Sequence, residues 1–399
     1  MLLLPRLRSR DRAPFLLLVA MTACGTLGMH IIIPALPATA RALGMSIGSV
    51  QLTITLYLVG LAVGQLLYGP MSDRFGRRPV LLFGLTLFTV AGTLTACAPS
   101  AGLLIGGRIL QSIGGCAGLV LGRAAVRDGA TAERAAGQLA LLTLVMSMVP
   151  AIAPAIGGYL TAFVHWRASY VLLAAIGGAT LAATALLLPE THRTRISGAP
   201  LSSIFLGYFR LLGSRAFCGY AIGGACSTTA FYGFMSASPF IFENYLHRPT
   251  QEVGLYYLVL MGGVGLGSFC ANRVAGRIAN RTAMRVANLL AIAGAALFAL
   301  ADVTGWLTVP TIVGPVALFM VGAGMASPFA LAGAVSVNPH AIGAASGMYG
   351  FVQMSYGMLC TVVVETWHPG AIYPVMTVLL VSALAGQVAM AMASRPTPG

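Results

Sequence analysis

The sequence predicts an all-α membrane protein, with twelve transmembrane helices in two six-helix halves. Three observations carry that prediction. Of the 399 residues, 58% are hydrophobic and 8% are charged, too few charges to clothe a soluble chain of this length. The apolar residues fall in runs of the roughly 20 residues that a bilayer core requires. Open sheet and lipid-exposed loop are excluded there, because their backbone groups would go unpaired. Finally, the connections between runs are short, except for one near the middle of the chain.

In order, the runs lie near residues 14–36, 48–71, 79–98, 101–123, 135–161, 167–188, 216–241, 252–271, 283–303, 307–334, 341–364 and 370–392. The first follows a basic segment, Met1 to Arg12, and so resembles a signal peptide, with Met21-Thr-Ala-Cys24 faintly like a lipoprotein cleavage site. It continues past Cys24 to Leu36, too long for a signal core, and is read as the first span. The long connection, Pro189 to Arg215, carries Glu190, His192, Arg193, Arg195 and an amphipathic piece from Phe205 to Leu212. The resulting units are a cytoplasmic N-terminal segment (1–13), an N-terminal six-helix bundle (14–188), a cytoplasmic inter-bundle loop (189–215), a C-terminal six-helix bundle (216–392) and a cytoplasmic tail (393–399).

Sidedness follows from arginine, since the chain has no lysine. With both termini cytoplasmic, Arg41, Arg167 and Arg248 face outward, Arg108 lies inside a span, and the rest of the 23 basic residues face inward. The implied setting is a membrane, in contact with its lipids. The net charge of +14 is therefore a topology signal and forms no basic domain for nucleic acid. The seven cysteines (24, 97, 116, 218, 226, 270, 360) sit in apolar stretches without C-x-x-C spacing, as small hydrophobes. There is no Gly loop with Lys for phosphate, no metal cluster and no nucleophile triad. No enzyme chemistry, cofactor or metal is expected.

Charge concentrates between the second and third runs, in Gly69-Pro-Met-Ser-Asp-Arg-Phe-Gly-Arg-Arg78. Gly69, Asp73, Arg74, Gly76, Arg77 and Arg78 resemble the signature loop of the major facilitator superfamily. The resemblance implies two parallel six-helix repeats around a central cavity, and a loop that latches and unlatches as the protein alternates between inward- and outward-open states. Asp73 is suited to accept hydrogen bonds from a helix N-terminus of the other half, and the arginines to reach carboxylates such as Asp128 or lipid phosphates. The second half echoes the first: Asn272-Arg273 follows span 8 as Asp73-Arg74 follows span 2, each followed by Gly-Arg, and Met235 to Pro239 loosely matches Met29 to Pro34.

Two further segments resemble family motifs. In span 4, Arg108-Ile-Leu-Gln111-Ser-Ile-Gly114-Gly115 is similar to R-x-x-Q-x-x-G. Arg108 lies about 10 Å deep, where it either faces a cavity or partner or snorkels outward. In span 5, Pro150, Pro154, Gly157 and Gly158 bend a helix and let it pack closely, as in the antiporter motif of exporters. With Pro34-Ala-Leu-Pro37 and Trp166-Arg167, the chain resembles Bcr/CflA-type multidrug resistance transporters over nearly its whole length.

It departs from them in span 1. Where relatives commonly place an Asp four residues before Pro34, this chain has His30, about 9 Å deep and level with Arg108. His30 is either a proton carrier or a neutral ring bonded to a backbone carbonyl. The nine acidic residues all fall at expected interfaces: Asp11, Asp73, Asp128, Glu133 and Glu190 inside, Glu243, Glu252, Asp302 and Glu365 outside. A cavity with Arg108, His30 and no carboxylate favours neutral or anionic amphiphiles over cations. Tyr57, Met146, Tyr232, Tyr256, Met354 and Tyr356 are candidate cavity residues suited to adaptable binding. The expected function is outward transport of a small-molecule, drug-like substrate by a monomer, with protons as the coupling partner. An exporter of an endogenous metabolite, such as an amino acid or sugar derivative, is the alternative.

Overall fold

The computed structural model describes residues 14–129, 132–191, 201–337 and 342–393, which contain no strand. The expectations placed on 1–13, on His192, Arg193 and Arg195, and on the tail beyond 393 lie outside the described residues. Among the described residues, eleven helices are long and apolar enough to cross a membrane, and the remaining expected span is present in two pieces.

The first span is α1 (Phe15–His30), a 3₁₀ turn (Ile33–Ala35) and α2 (Leu36–Leu43). Pro34 interrupts it, because the ring has no N–H for the His30 carbonyl and crowds that oxygen. The span runs about two turns beyond the expected end, to Gly44 at φ +60°. The first half continues with α3 (Ile47–Phe75), α4 (Arg77–Ala96), α5 (Ala101–Gly129), α6 (Ala132–Phe163) and α7 (Ala168–Leu187). The linker contributes α8 (Leu201–Leu212), with Tyr208 and Leu211 buried and Phe209 exposed.

The seventh span is the divided one, α9 (Arg215–Thr229) and α10 (Phe231–Phe240), ending in a π turn at Ile241–Tyr245. Pro239 leaves the Met235 carbonyl without its helical N–H, and the Tyr257 hydroxyl donates to that oxygen at 3.3 Å instead. Proline thus disturbs spans 1 and 7 at corresponding places of the two halves. The second half is completed by α11 (Thr250–Val274), α12 (Asn280–Val303), α13 (Val309–Ser336), α14 (Ile342–Trp367) and α15 (Ile372–Ala393).

Within each half one helix is the hub. α5 is packed by α1, α3 and α4, and its counterpart α13 by α9, α11 and α12. Small residues make this possible: a Cβ at Gly114 would strike Gly84 and Phe88 backbone, and one at Gly322 would strike Ala287 and Ala291. The halves meet along two seams, α3 against α14 and α6 against α11. These seams are equivalent under the half-repeat, pairing span 2 with span 11 and span 5 with span 8.

Candidate functional site

The charged loop is tighter than the sequence suggested. α3 continues through Asp73 and Arg74, because nothing before Gly76 stops it, and the chain reverses at Gly76 alone, φ +98°. Gly276, φ +74°, makes the matching reversal after α11, a backbone region open to glycine at little cost. Arg77 ties three helix ends together. Its guanidinium donates to Asp73 Oδ1 at 2.7 Å, to Asp128 Oδ2 at 3.1 Å and to Ser72 Oγ. The Glu190 carboxylate sits over the start of α4, accepting from the Arg77 N–H at 3.0 Å and the Arg78 N–H at 3.2 Å, where the helix dipole favours an anion. Arg78 reaches the last turn of α7 through the Ala185 carbonyl, 2.7 Å away. Gly69 accepts from Ser72 Oγ at 2.8 Å, and Arg74 is exposed beside Phe75.

Asp73 is held within its own half. The expected bonds to a helix N-terminus of the other half are not among its described contacts, yet it lines one cavity with Gly69, Gly343 and Ala344, the latter two in the first turn of α14. Tyr208 of the linker helix lines the same cavity and donates to the Leu66 carbonyl at 3.1 Å. Burial, and then the Asp73 charge, push the Tyr208 phenol above its ordinary range.

This cavity, about 350 Å³, adjoins a second of about 250 Å³ through the shared residues Gln65, Leu119, Arg123 and Ser346. The second is central, lined by His30, Arg123, Tyr232, Tyr349, Gln353 and Met354 among others, with no carboxylate among its lining residues. The His30 Nδ1–H donates to the Thr26 carbonyl at 2.8 Å, which leaves Nε2 of the neutral ring as an acceptor. The passage runs from the centre toward the loop end. At the opposite end the halves are in contact. Gln51 Nε2 donates to the Ser236 carbonyl at 3.0 Å, and Arg41 pairs with Glu243 at 2.6 Å. The span-5 motif lies in this closure: a Cβ on Gly157 would overlap the Ile31 carbonyl, one on Gly158 would press on Thr250 and Gln251, and one on Gly254 would strike Pro154. Pro150 lies one turn earlier in α6.

Several expectations need correction. Arg108 and Gln111 are fully buried inside the first half and do not line the described cavities. Arg108 donates to Gln111 Oε1 at 2.5 Å and to the Gly28 carbonyl at 2.9 Å, with its guanidinium 4.1 Å from the Tyr57 ring centre. It therefore neither snorkels nor faces the passage. Of the six candidate cavity residues, Tyr232 and Met354 line the central cavity. Tyr57 is buried against Arg108 and donates to the Gly25 carbonyl at 2.8 Å. Met146 is buried in the core, Tyr256 donates to Glu252 and Tyr356 to Ser382. Glu365, expected at a solvated edge, is 6% exposed between α3 and α14.

Sequence reading missed Arg123, Gln65 and Gln353. Arg123 stands one turn before Arg127, so it was counted only as a loop cation, and the two glutamines sit in helices whose facing partners no local pattern names.

A family model described as the Major Facilitator Superfamily matches residues 18–361. The chain belongs to that superfamily. It is a multi-pass membrane transporter, not an enzyme. Among curated proteins it is 31% identical to "Multidrug resistance protein D" of Escherichia coli over 349 residues, 87% of this chain and 86% of that one. It is 31% identical to "Chloramphenicol resistance protein" of Pseudomonas aeruginosa, covering 84% of this chain and 80% of the relative. A Bacillus subtilis relative, "Uncharacterized MFS-type transporter YdgK", is 30% identical with 95% of each chain covered. These relatives agree with a Bcr/CflA-type drug transporter. The crystal structure of a D-xylose-proton symporter superposes with a TM-score of 0.73, covering 96% of this chain and 98% of the symporter. At 15% identity that likeness speaks for the fold alone.

Proposed function

We propose that this superfamily member exports small amphipathic compounds, neutral or anionic in preference to cationic, by alternating access coupled to protons. The observation that carries this reading is the central cavity between the halves, which presents Arg123 and His30 and no carboxylate among its lining residues. A cationic group in a low-dielectric cavity whose lining holds no carboxylate attracts anions and repels cations. Tyr232, Tyr349 and Met354 supply adaptable apolar contact, and His30 Nε2 and Gln353 supply hydrogen bonds. The names of the E. coli and P. aeruginosa relatives support a drug-like cargo.

In this reading the loop end is cytoplasmic, the protein sits in the inner membrane with both termini inside, and it works as a monomer. The structure is then the inward-facing state. Closing the loop end would collapse the cavity between Asp73 and the first turn of α14, bringing that carboxylate to a helix N-terminus. This is the latch role for Gly69, Asp73, Arg74, Gly76, Arg77 and Arg78.

Flux into everted vesicles under an imposed pH gradient tests it, with chloramphenicol as the neutral probe and tetraphenylphosphonium as the cation. Chloramphenicol should accumulate and the cation should not, while Arg123→Glu should reverse the preference. His30→Ala should raise KM several-fold with the pH drive kept. Export of the cation and not of chloramphenicol by the wild type would overturn the reading.

A further inference from the structure

Resting on the exporter reading, we propose that Glu365 is a protonation site that locks the end of the transporter opposite the charged loop, and that a proton taken from that side closes it. The geometry is a chain of four oxygens across the α3–α14 seam. Glu365 Oε1 lies 2.5 Å from Thr55 Oγ1, Thr55 Oγ1 lies 2.7 Å from Thr361 Oγ1, and Thr361 Oγ1 lies 2.7 Å from the Met358 carbonyl. Three contacts need three protons if all are hydrogen bonds. The two hydroxyls supply one each and the carbonyl supplies none. Thr361 donates to Met358, Thr55 donates to Thr361, and the third proton belongs to the carboxyl of Glu365, which donates to Thr55. Without it, Thr55 must turn its proton to the carboxylate and Thr361 must turn to Thr55, so the bond to the Met358 carbonyl is lost and the charge is left with one hydroxyl donor in a site that is 6% exposed. Burying such a carboxylate is costly unless water or a cation reaches it.

Among the described residues, no cation is placed to do so. α3 faces the seam here with Gln51 and Thr55; its Tyr57 is turned to Gly25 and Arg108, and its Asp73 and Arg74 lie at the other end, some 27 Å along the helix. α10 brings Tyr232, which lies against Gly357, two turns from Glu365. α9 carries Arg215 in its first turn, Cys218 and Tyr220 near that end, and Cys226 in its last turn. α15 brings Tyr373, which meets the Trp367 and His368 rings edge-on. α13 has no charged side chain in its sequence, and α8 contributes Tyr208 and Arg210 near the loop end. The charged pair at the closed end, Arg41 with Glu243, is satisfied within itself.

The seam gives the proton a mechanical consequence. Thr55 lies on α3 in the first half and Glu365 on α14 in the second, so the carboxyl bridges the two bodies that must part for this end to open. Protonation from water on that side completes the bridge. Loss of the proton leaves a carboxylate that gains most by separating the helices and admitting water. Glu365 is thus a positioning residue that acts through the gate and touches no cargo in the central cavity.

Hydrogen–deuterium exchange of the protein in nanodiscs, read on peptides covering 47–60 and 358–370 and corrected for intrinsic rate, tests this without any substrate. Raising pD from 5.5 to 8.5 should lower protection of both peptides tenfold or more in the wild type. Glu365→Gln, which donates its bond at any pD, should stay protected throughout. Glu365→Ala should be unprotected throughout, with peptides around Gly76 unchanged in each. A wild type with no pD dependence, or a Glu365→Gln protein that titrates like the wild type, overturns the proposal. In vesicles, loss of pH drive in Glu365→Gln is expected with chloramphenicol as probe. If the wild type itself shows no pH-driven chloramphenicol flux, the exporter reading fails while the exchange result still stands. If Glu365→Gln retains the drive and His30→Ala loses it, the proton belongs to His30 and the Glu365 proposal is refuted.

Discussion

Glu190 offers the most direct test of how the charged loop is held. Its two carboxylate oxygens accept the first two N–H groups of α4, at 3.0 and 3.2 Å. A buried bond to a charged acceptor contributes about 1.5–3 kcal/mol; Glu190 is half-buried, so about 1 kcal/mol apiece is the better value. The charge at the helix N-terminus adds about 0.5–1 kcal/mol. Glu190→Ala should therefore cost about 2.5 kcal/mol, and Glu190→Gln, which keeps an acceptor without the charge, about half that. At about 2.1 cal/mol/K of unfolding entropy per residue, a chain of 399 residues should lose about 3 °C of Tm with Ala and about 1.5 °C with Gln. Thermal unfolding in detergent reads both. Gly76→Ala adds a check, since its Cβ would sit 2.6 Å from Glu190 Oε2 at a φ of +98°. Relieving that clash should make Gly76→Ala less harmful in a Glu190→Ala background than alone. A Glu190→Ala protein as stable as wild type, or strict additivity with Gly76→Ala, would refute the capping argument.

The burial of Arg108 predicts that Arg108→Gln lowers stability by about 1–3 kcal/mol for the donors lost to Gly28 and Gln111, and Tm with it, while leaving chloramphenicol KM within about threefold; a tenfold rise in KM at unchanged Tm would return Arg108 to the transport path. At the α6–α11 seam, Gly254→Val forces a side chain onto the Pro154 carbonyl and Ala155. Overpacking of this kind costs about 1–3 kcal/mol, so the closed arrangement should be disfavoured and hydrogen exchange around 154–158 and 250–254 should rise several-fold. Unchanged exchange there would show that the seam tolerates the added methyls.

How much of this was legible in the sequence depends on how local each signal is. Span number and the two-half division are local, because a bilayer imposes length and apolarity on each run separately. The break after His30 was visible in Pro34, and its partner in the second half in Pro239. Tyr257, which completes the Met235 carbonyl, was not, since it comes from another helix. Arg108 and Arg123 show the same limit from both sides. Both are arginines in apolar surroundings, and depth alone favoured Arg108 for the passage. Which way each points is decided by neighbours far off in sequence: Gly28 and Tyr57 draw Arg108 inward, while Arg123 lines both described cavities. Glu365 was assigned to an edge because it is near a helix end, and only the approach of α3 makes that position dry.

The two seams differ in the physics that joins them, and that difference bears on how such a molecule can switch. α6 meets α11 backbone against backbone, with Gly158 under Thr250 and Gly254 under Pro154. Contacts of this kind are short-ranged and carry no charge, so a ligand or proton has nothing there to bias. α3 meets α14 through polar side chains, with Gln65 seated in the notch of Gly347 and Gly350 nearer the loop and the Thr55, Thr361 and Glu365 chain at the other end. Hydrogen bonds depend on proton number and on water, so this seam has two chemically distinct states. A ligand shifts a two-state equilibrium only by its differential affinity for the states. The polar seam is where such a difference can arise, and the glycine seam supplies the close, neutral surface on which the halves tilt.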